Sequence, residues 1–144
     1  METGELLASF ARKVDIDSWE PEDSGEYIIY FDDIELRFLV RSKSTLIAYT
    51  VLGTAPAGAD ERFQLFEKML TAATGPQGVG GRGVVSLDSA TDELVYYQTL
   101  DTSQLTLDDF ITGLEAFTYS AEIWKGKMAV HPVESQRPPA FLFP

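Results

Sequence analysis

Apolar residues along this chain switch repeatedly between two spacings, and the order of the switches constrains the fold more than any single motif. From Thr3 the apolar positions are Leu6, Leu7, Phe10, Ala11 and Val14. That is the 3.6-residue period of a helix with one buried stripe. Thr3 can cap this helix, and Glu5 suits its N-terminal dipole. Pro21 and the acidic stretch to Gly25 end it. The spacing then falls to two. Tyr27–Phe31 is aromatic and β-branched. In 34–41, Ile34, Leu36, Phe38 and Val40 alternate with Glu35, Arg37 and Arg41, which predicts a half-buried antiparallel strand. Thr45–Leu52 is apolar on both faces, so both should be covered. Asp32-Asp33 and Ser42–Ser44 read as hairpin turns.

The helical period returns after the Pro56 loop. Asp60 can cap a second helix, with Phe63, Phe66, Met69, Leu70 and Ala73 as its stripe. A glycine-rich connection, Gly75–Gly83, precedes a hairpin of Val84–Leu87 and Glu93–Leu100. The last helix opens on Thr106-Leu-Asp-Asp109, a capping-box variant, and runs through Leu114, Phe117, Ala121, Trp124 and Met128. Beyond residue 130, Pro132, Pro138, Pro139 and Pro144 exclude a helix. The reading is an α+β domain over 1–130, ordered α-β-β-β-α-β-β-α, with three helices on an antiparallel sheet. A proline-rich tail, 131–144, is expected to be extended or disordered.

Composition narrows the function. The chain has 144 residues and no cysteine, which excludes disulfides, thiolate catalysis and cysteine-ligated metals. Eleven basic against 23 acidic side chains give −12. That charge opposes binding to nucleic acid, where phosphates must be neutralised, and to anionic membranes. Ten acids but only Arg12 and Lys13 lie in residues 1–33, so this segment carries 2 − 10 = −8. Its densest part, Asp15 to Glu26, reads as a solvated loop or as a docking surface for a basic partner. No apolar run approaches the roughly 20 residues that cross a bilayer. A cytoplasmic location is the expectation.

Chemical motifs are weak. Gly78-Val-Gly80-Gly81-Arg-Gly83 has the letters of a dinucleotide fingerprint. That motif needs a strand before it and a helix after it, so that pyrophosphate meets a helix N-terminus. Here the order is reversed. Asp15, Asp17 and Glu26 echo a calcium loop, but Glu20 stands where glycine is required. The one histidine, His131, lies in the tail. No Gly-x-Ser-x-Gly elbow is present. The expectation is a protein without enzymatic activity, metal or cofactor. An alternative is a small ligand-binding or regulatory α+β domain that uses the Gly75–Gly83 loop.

More apolar faces are offered than three helices and a small sheet can cover, which points to an oligomer or a protein-binding surface. The stretch from Phe63 to Met128 resembles the class I type III secretion chaperones, the Tir-chaperone (CesT-like) family. Three features carry the likeness. They are the apolar helix from Phe63 to Thr74 entering a glycine-rich turn, the hairpin from Val84 to Tyr97, and the leucine-rich helix from Leu107 to Phe117 that reaches Trp124. The resemblance implies a bacterial cytoplasmic homodimer that binds the N-terminal region of a secreted effector in extended form and keeps it export-competent. It implies the effector and the export apparatus as partners, and a virulence role. Effector-facing grooves are then expected at Leu6, Leu7, Phe10 and Val14 with Leu39, Ile47 and Tyr49. A dimer interface is expected at Phe63, Phe66, Leu70 and Val85.

Overall fold

A computed structural model describes residues 1–73 and 83–129. The tail, and all of the Gly75–Gly83 connection except Gly83, lie outside the described residues. Within them the elements are α1 (Thr3–Lys13), β1 (Tyr27–Phe31), β2 (Ile34–Val40), β3 (Thr45–Thr54), α2 (Ala59–Ala73), β4 (Val84–Asp88), β5 (Glu93–Asp101) and α3 (Leu107–Ala129). A short 3-10 turn, Thr102–Gln104, precedes α3. The element order is the one expected from the sequence.

The strands form one five-stranded sheet in the order β1-β2-β3-β5-β4. Every neighbouring pair is antiparallel. After β3 the chain passes through α2 to the far edge, lays down β4, and returns as β5 between β4 and β3. That path leaves β1 and β4 as the two free edges.

Alternation fixes which face meets the helices. Ile34, Leu36 and Phe38 of β2, Leu46, Ala48 and Leu52 of β3, and Leu94 and Tyr96 of β5 are all buried on one side. The helices send Leu6, Leu7 and Phe10 of α1, Leu65 and Met69 of α2, and Phe110, Leu114, Phe117 and Trp124 of α3 into the same cluster. All three therefore cover that one side. Aromatic rings lock its centre. Phe10 meets Phe110 edge-on at 5.4 Å, and Tyr96 stacks on Phe117 at 4.7 Å. Such pairs add about 0.5–1.5 kcal/mol beyond the area they bury.

Local signals resolve in different ways. The capping box at α3 forms in both directions: the Asp109 amide donates to Thr106 Oγ1 at 3.1 Å, and the Thr106 amide to Asp109 Oδ2 at 3.3 Å. Thr3, expected as a cap, is the first helical residue of α1 instead, and Glu2 takes the cap position with no side-chain bond. Thr3 is fully buried, with its hydroxyl donating to the Ser42 carbonyl at 2.9 Å and meeting Thr102 Oγ1 at 3.2 Å. A hydroxyl removed from water must be hydrogen-bonded, and these distant partners draw it inward. Asp60 lies in the first turn of α2. Asp32 adopts φ = 52° in the β1–β2 turn, a left-handed conformation that Asp tolerates. The register of β3 shifts between Val51 and Gly53, where Gly53 takes φ = 153° and a side chain would crowd Met128.

Candidate functional site

The sheet face opposite the helices has no helix over it among the described residues. One row crosses all five strands: Ile28, Arg37, Tyr49, Tyr97 and Val84 are successive partners. Leu39 pairs with Ile47, and Val51 with Val95, on either side of that row. These side chains are half-buried, apart from Val84, which is exposed. The expectation that both faces of β3 should be covered thus holds, among the described residues, for one face. The other is a mixed apolar platform.

A charged knot sits at the β1 side of this platform. Arg37 pairs with Glu35 at 2.9 Å and with Glu26 at 3.2 Å. Tyr49 donates its hydroxyl to Glu26, and Tyr30 donates to Glu35 at 2.8 Å. Burial alone would push the Glu26 carboxyl up, but hydrogen bonds from Tyr49, Ser24 and Arg37 hold it below its ordinary value. Glu35 is also held low, first by the Tyr30 bond and then by Arg37. Burial, then the bond to Glu26, pushes the Tyr49 hydroxyl up to about 12. Every charged group of the knot has a partner, though two carboxylates share one guanidinium, so it gives the platform shape, polarity and one excess negative charge.

The acidic stretch before β1 is anchored by Trp19, which the sequence reading did not single out. Its ring lies 5.2 Å from Tyr27 and 5.9 Å from both Phe10 and Phe38. Its indole N–H donates to the Ile28 carbonyl at 3.1 Å, filling one acceptor on the edge strand β1. A lone tryptophan among acids was the available signal, since such a ring is seldom left in water.

A second surface lies at the other edge. An open groove of about 510 Å³ between α2 and β4 is lined by Phe66, Met69, Leu70, Val84, Val85 and Trp124, among others. Around it Phe63 is 67% exposed, Leu70 68%, Val84 51% and Leu87 37%. Large side chains left this open and close together mark an interaction surface.

The expected site residues separate accordingly. Leu6, Leu7 and Phe10 are corrected to core positions, at 0%, 3% and 2% exposure. The amphipathic stripe of α1 faces the sheet, where β2 and α3 already cover it. Val14, at the C-terminal cap of α1, is exposed but lies on the helix side. Leu39, Ile47 and Tyr49 lie together on the opposite face. Phe63 and Leu70 are exposed on α2, while Phe66 and Val85 pack partly against the core. The described residues contain no cluster of metal-ligating side chains, and no helix among them is long and apolar enough to cross a membrane.

Known proteins supply the frame for this geometry. The chain is similar to the SchA chaperone–HopA1 effector complex, with TM-score 0.62 at 15% identity, over 85% of this chain and 92% of that one. It is similar to the ExsC–ExsE complex, with TM-score 0.60 at 19% identity, over 94% and 100%. It is also similar to the Yersinia pestis type III secretion chaperone SycH in complex with a fragment of YscM2, with TM-score 0.58 at 16% identity, over 83% and 97%. At such identities the likeness is one of fold. No curated protein sequence matches the chain. The model of the Tir chaperone protein (CesT) family matches residues 5–125, from α1 into the last turns of α3. The chain therefore belongs to the Tir chaperone protein (CesT) family, a family of chaperones and not of enzymes.

Proposed function

We propose that this protein is a cytoplasmic homodimeric chaperone that holds the N-terminal region of a type III secreted effector in extended form, ready for export. The carrying observation is the apolar platform of Leu39, Ile47, Tyr49 and Tyr97, in a chaperone-family chain whose described helices all occupy the other face of the sheet. Solved chains of this fold include a chaperone–effector complex, which supports the reading.

An extended client suits the chemistry. A strand added at a sheet edge gains sequence-tolerant main-chain hydrogen bonds, while alternate side chains find pockets. Ordering such a segment costs several kcal/mol, so a wide surface must offset it. The α2–β4 surface is the proposed dimer contact, with Phe63, Phe66, Leu70 and Val85 at its centre. The export apparatus would then receive the loaded chaperone.

The effector, recovered by co-purification from the source cell and identified by mass spectrometry, provides the titrant. Calorimetry of its N-terminal region against Leu39→Asp/Ile47→Asp should show at least a tenfold loss of affinity with the fold retained. Unchanged affinity would remove the platform from the client site.

A further inference from the structure

The described chain stops at Ala129, at the end of the helix that also contributes to the α2–β4 groove. Trp124, one lining residue of that groove, is five residues upstream, or about 7.5 Å along the helix. The 15 residues that follow carry one acid and one arginine, and end Ala140-Phe141-Leu142-Phe143 before Pro144. The family match ends at residue 125, so this segment lies outside the shared pattern. Eleven residues separate Ala129 from Phe141. Proline-rich chain rises about 3.1 Å per residue, so they span roughly 35 Å, ample to reach the α2–β4 groove.

We propose that the Phe141–Phe143 segment of the same chain docks in the α2–β4 groove. Four observations select this occupant. The groove draws Trp124 from the helix that the tail leaves, and lies within the tail's reach. Its lining of Phe66, Leu70, Val84 and Val85 offers apolar contact to two phenylalanines and a leucine, with no charge to desolvate. Leu70 and Val84 remain more than half exposed until something covers them. The tether sets a local concentration near millimolar, so even a weak three-residue contact is populated. Two other clefts of similar size are more polar: one between α3 and β5 includes Gln98, Asp109 and Thr112 in its lining, and one at the C-terminal end of α3, beside Gly126 and Met128, includes the charged Asp33, Glu122 and Lys125. Docking places the tail in competition with a second copy for the same surface, and so sets the concentration at which the proposed dimer forms.

The absence of cysteine makes the test direct. Leu70→Cys/Leu142→Cys in the full-length chain is oxidised mildly at submicromolar concentration, with Thr112→Cys/Leu142→Cys as the control for the α3–β5 cleft. A disulfide needs Cα atoms within about 7 Å. The expected result is an intrachain disulfide that forms at least tenfold faster in the first pair. Equal rates, or a disulfide that links two chains, would overturn the proposal. Val84→Cys/Leu142→Cys repeats the measurement from the β4 wall, in case Leu70→Cys perturbs the helix. Truncation after residue 130 separately reports on competition. Sedimentation velocity should show dimer at a several-fold lower concentration than for the full chain. A chain that stays monomeric in both forms would refute the dimer and leave the disulfide result to decide the tail.

Discussion

Gly83 illustrates how a single atom can be excluded. A Cβ built there would lie 2.4 Å from Tyr96 Cζ, far inside van der Waals contact. The Tyr96 ring cannot swing away, because it is buried and stacked on Phe117. Gly83→Ala should therefore cost about 1–3 kcal/mol in denaturant unfolding, the usual range for overpacking. The Arg37 knot makes a different residue-scale prediction. Glu26 and Glu35 both lie below their ordinary value of 4.5 in the folded chain. Their contribution to stability is therefore fully present above that value and is lost as pH falls through the lower folded values. Stability measured from pH 6 down to 3 should drop, and the drop should shrink in Glu26→Gln. An unchanged profile in that variant would show that the knot does not couple to folding.

Elements are held by caps at one end and by packing along their length. At α3, Thr106 and Asp109 satisfy each other's amides. Thr106→Ala should destabilise the chain by about 0.5–2 kcal/mol, read by thermal or chemical unfolding. At α2 the division of labour is sharper. Leu65 and Met69 are buried, four residues apart, and hold the helix to the core. Phe63 and Leu70 face outward. Leu70→Asp should thus leave monomer stability within about 0.5 kcal/mol, as for ordinary surface substitutions. It should raise the dissociation constant of the proposed dimer at least tenfold in sedimentation equilibrium. The same variant with stability lost as well would mean that α2 is anchored through its outer stripe.

Across the whole molecule, charge and apolar surface occupy different territory. The segment 1–33 holds −8 of the total −12. Trp19 pins the middle of that segment against Tyr27 and Phe38, so the acids are held near the β1 edge. An effector with basic residues should bind more weakly as salt rises, because exposed charges beyond about 8–10 Å are screened at physiological ionic strength. Titrations between 0.05 and 0.5 M salt should show the affinity falling several-fold. A flat response would leave the acids a solubility role only. Repulsion between two such halves would also weaken the proposed dimer, and apolar contact at Phe63 and Leu70 would have to overcome it.

The alternation of Ile34, Leu36 and Phe38, the stripes of α1 and α3, and the Thr106–Asp109 box were legible in the sequence. Each depends on neighbours within a few residues, so backbone geometry alone translates spacing into structure. Acidity and the lack of cysteine likewise bounded the chemistry without any coordinates. Burial was a different matter. Leu6, Leu7 and Phe10 look the same in sequence as Leu39, Ile47 and Tyr49, yet the first three are core and the last three line the open face. Which apolar face stays open depends on where β5 and α3 dock, tens of residues away in sequence. The Glu26–Tyr49–Arg37 knot and the indole of Trp19 on Ile28 are likewise contacts across strands and loops. Sequence by itself determined the elements, their order and the excluded chemistries, because those rest on local periodicity and composition. Only the tertiary structure decided which surfaces remain to meet a partner, because exposure is a property of the packed whole.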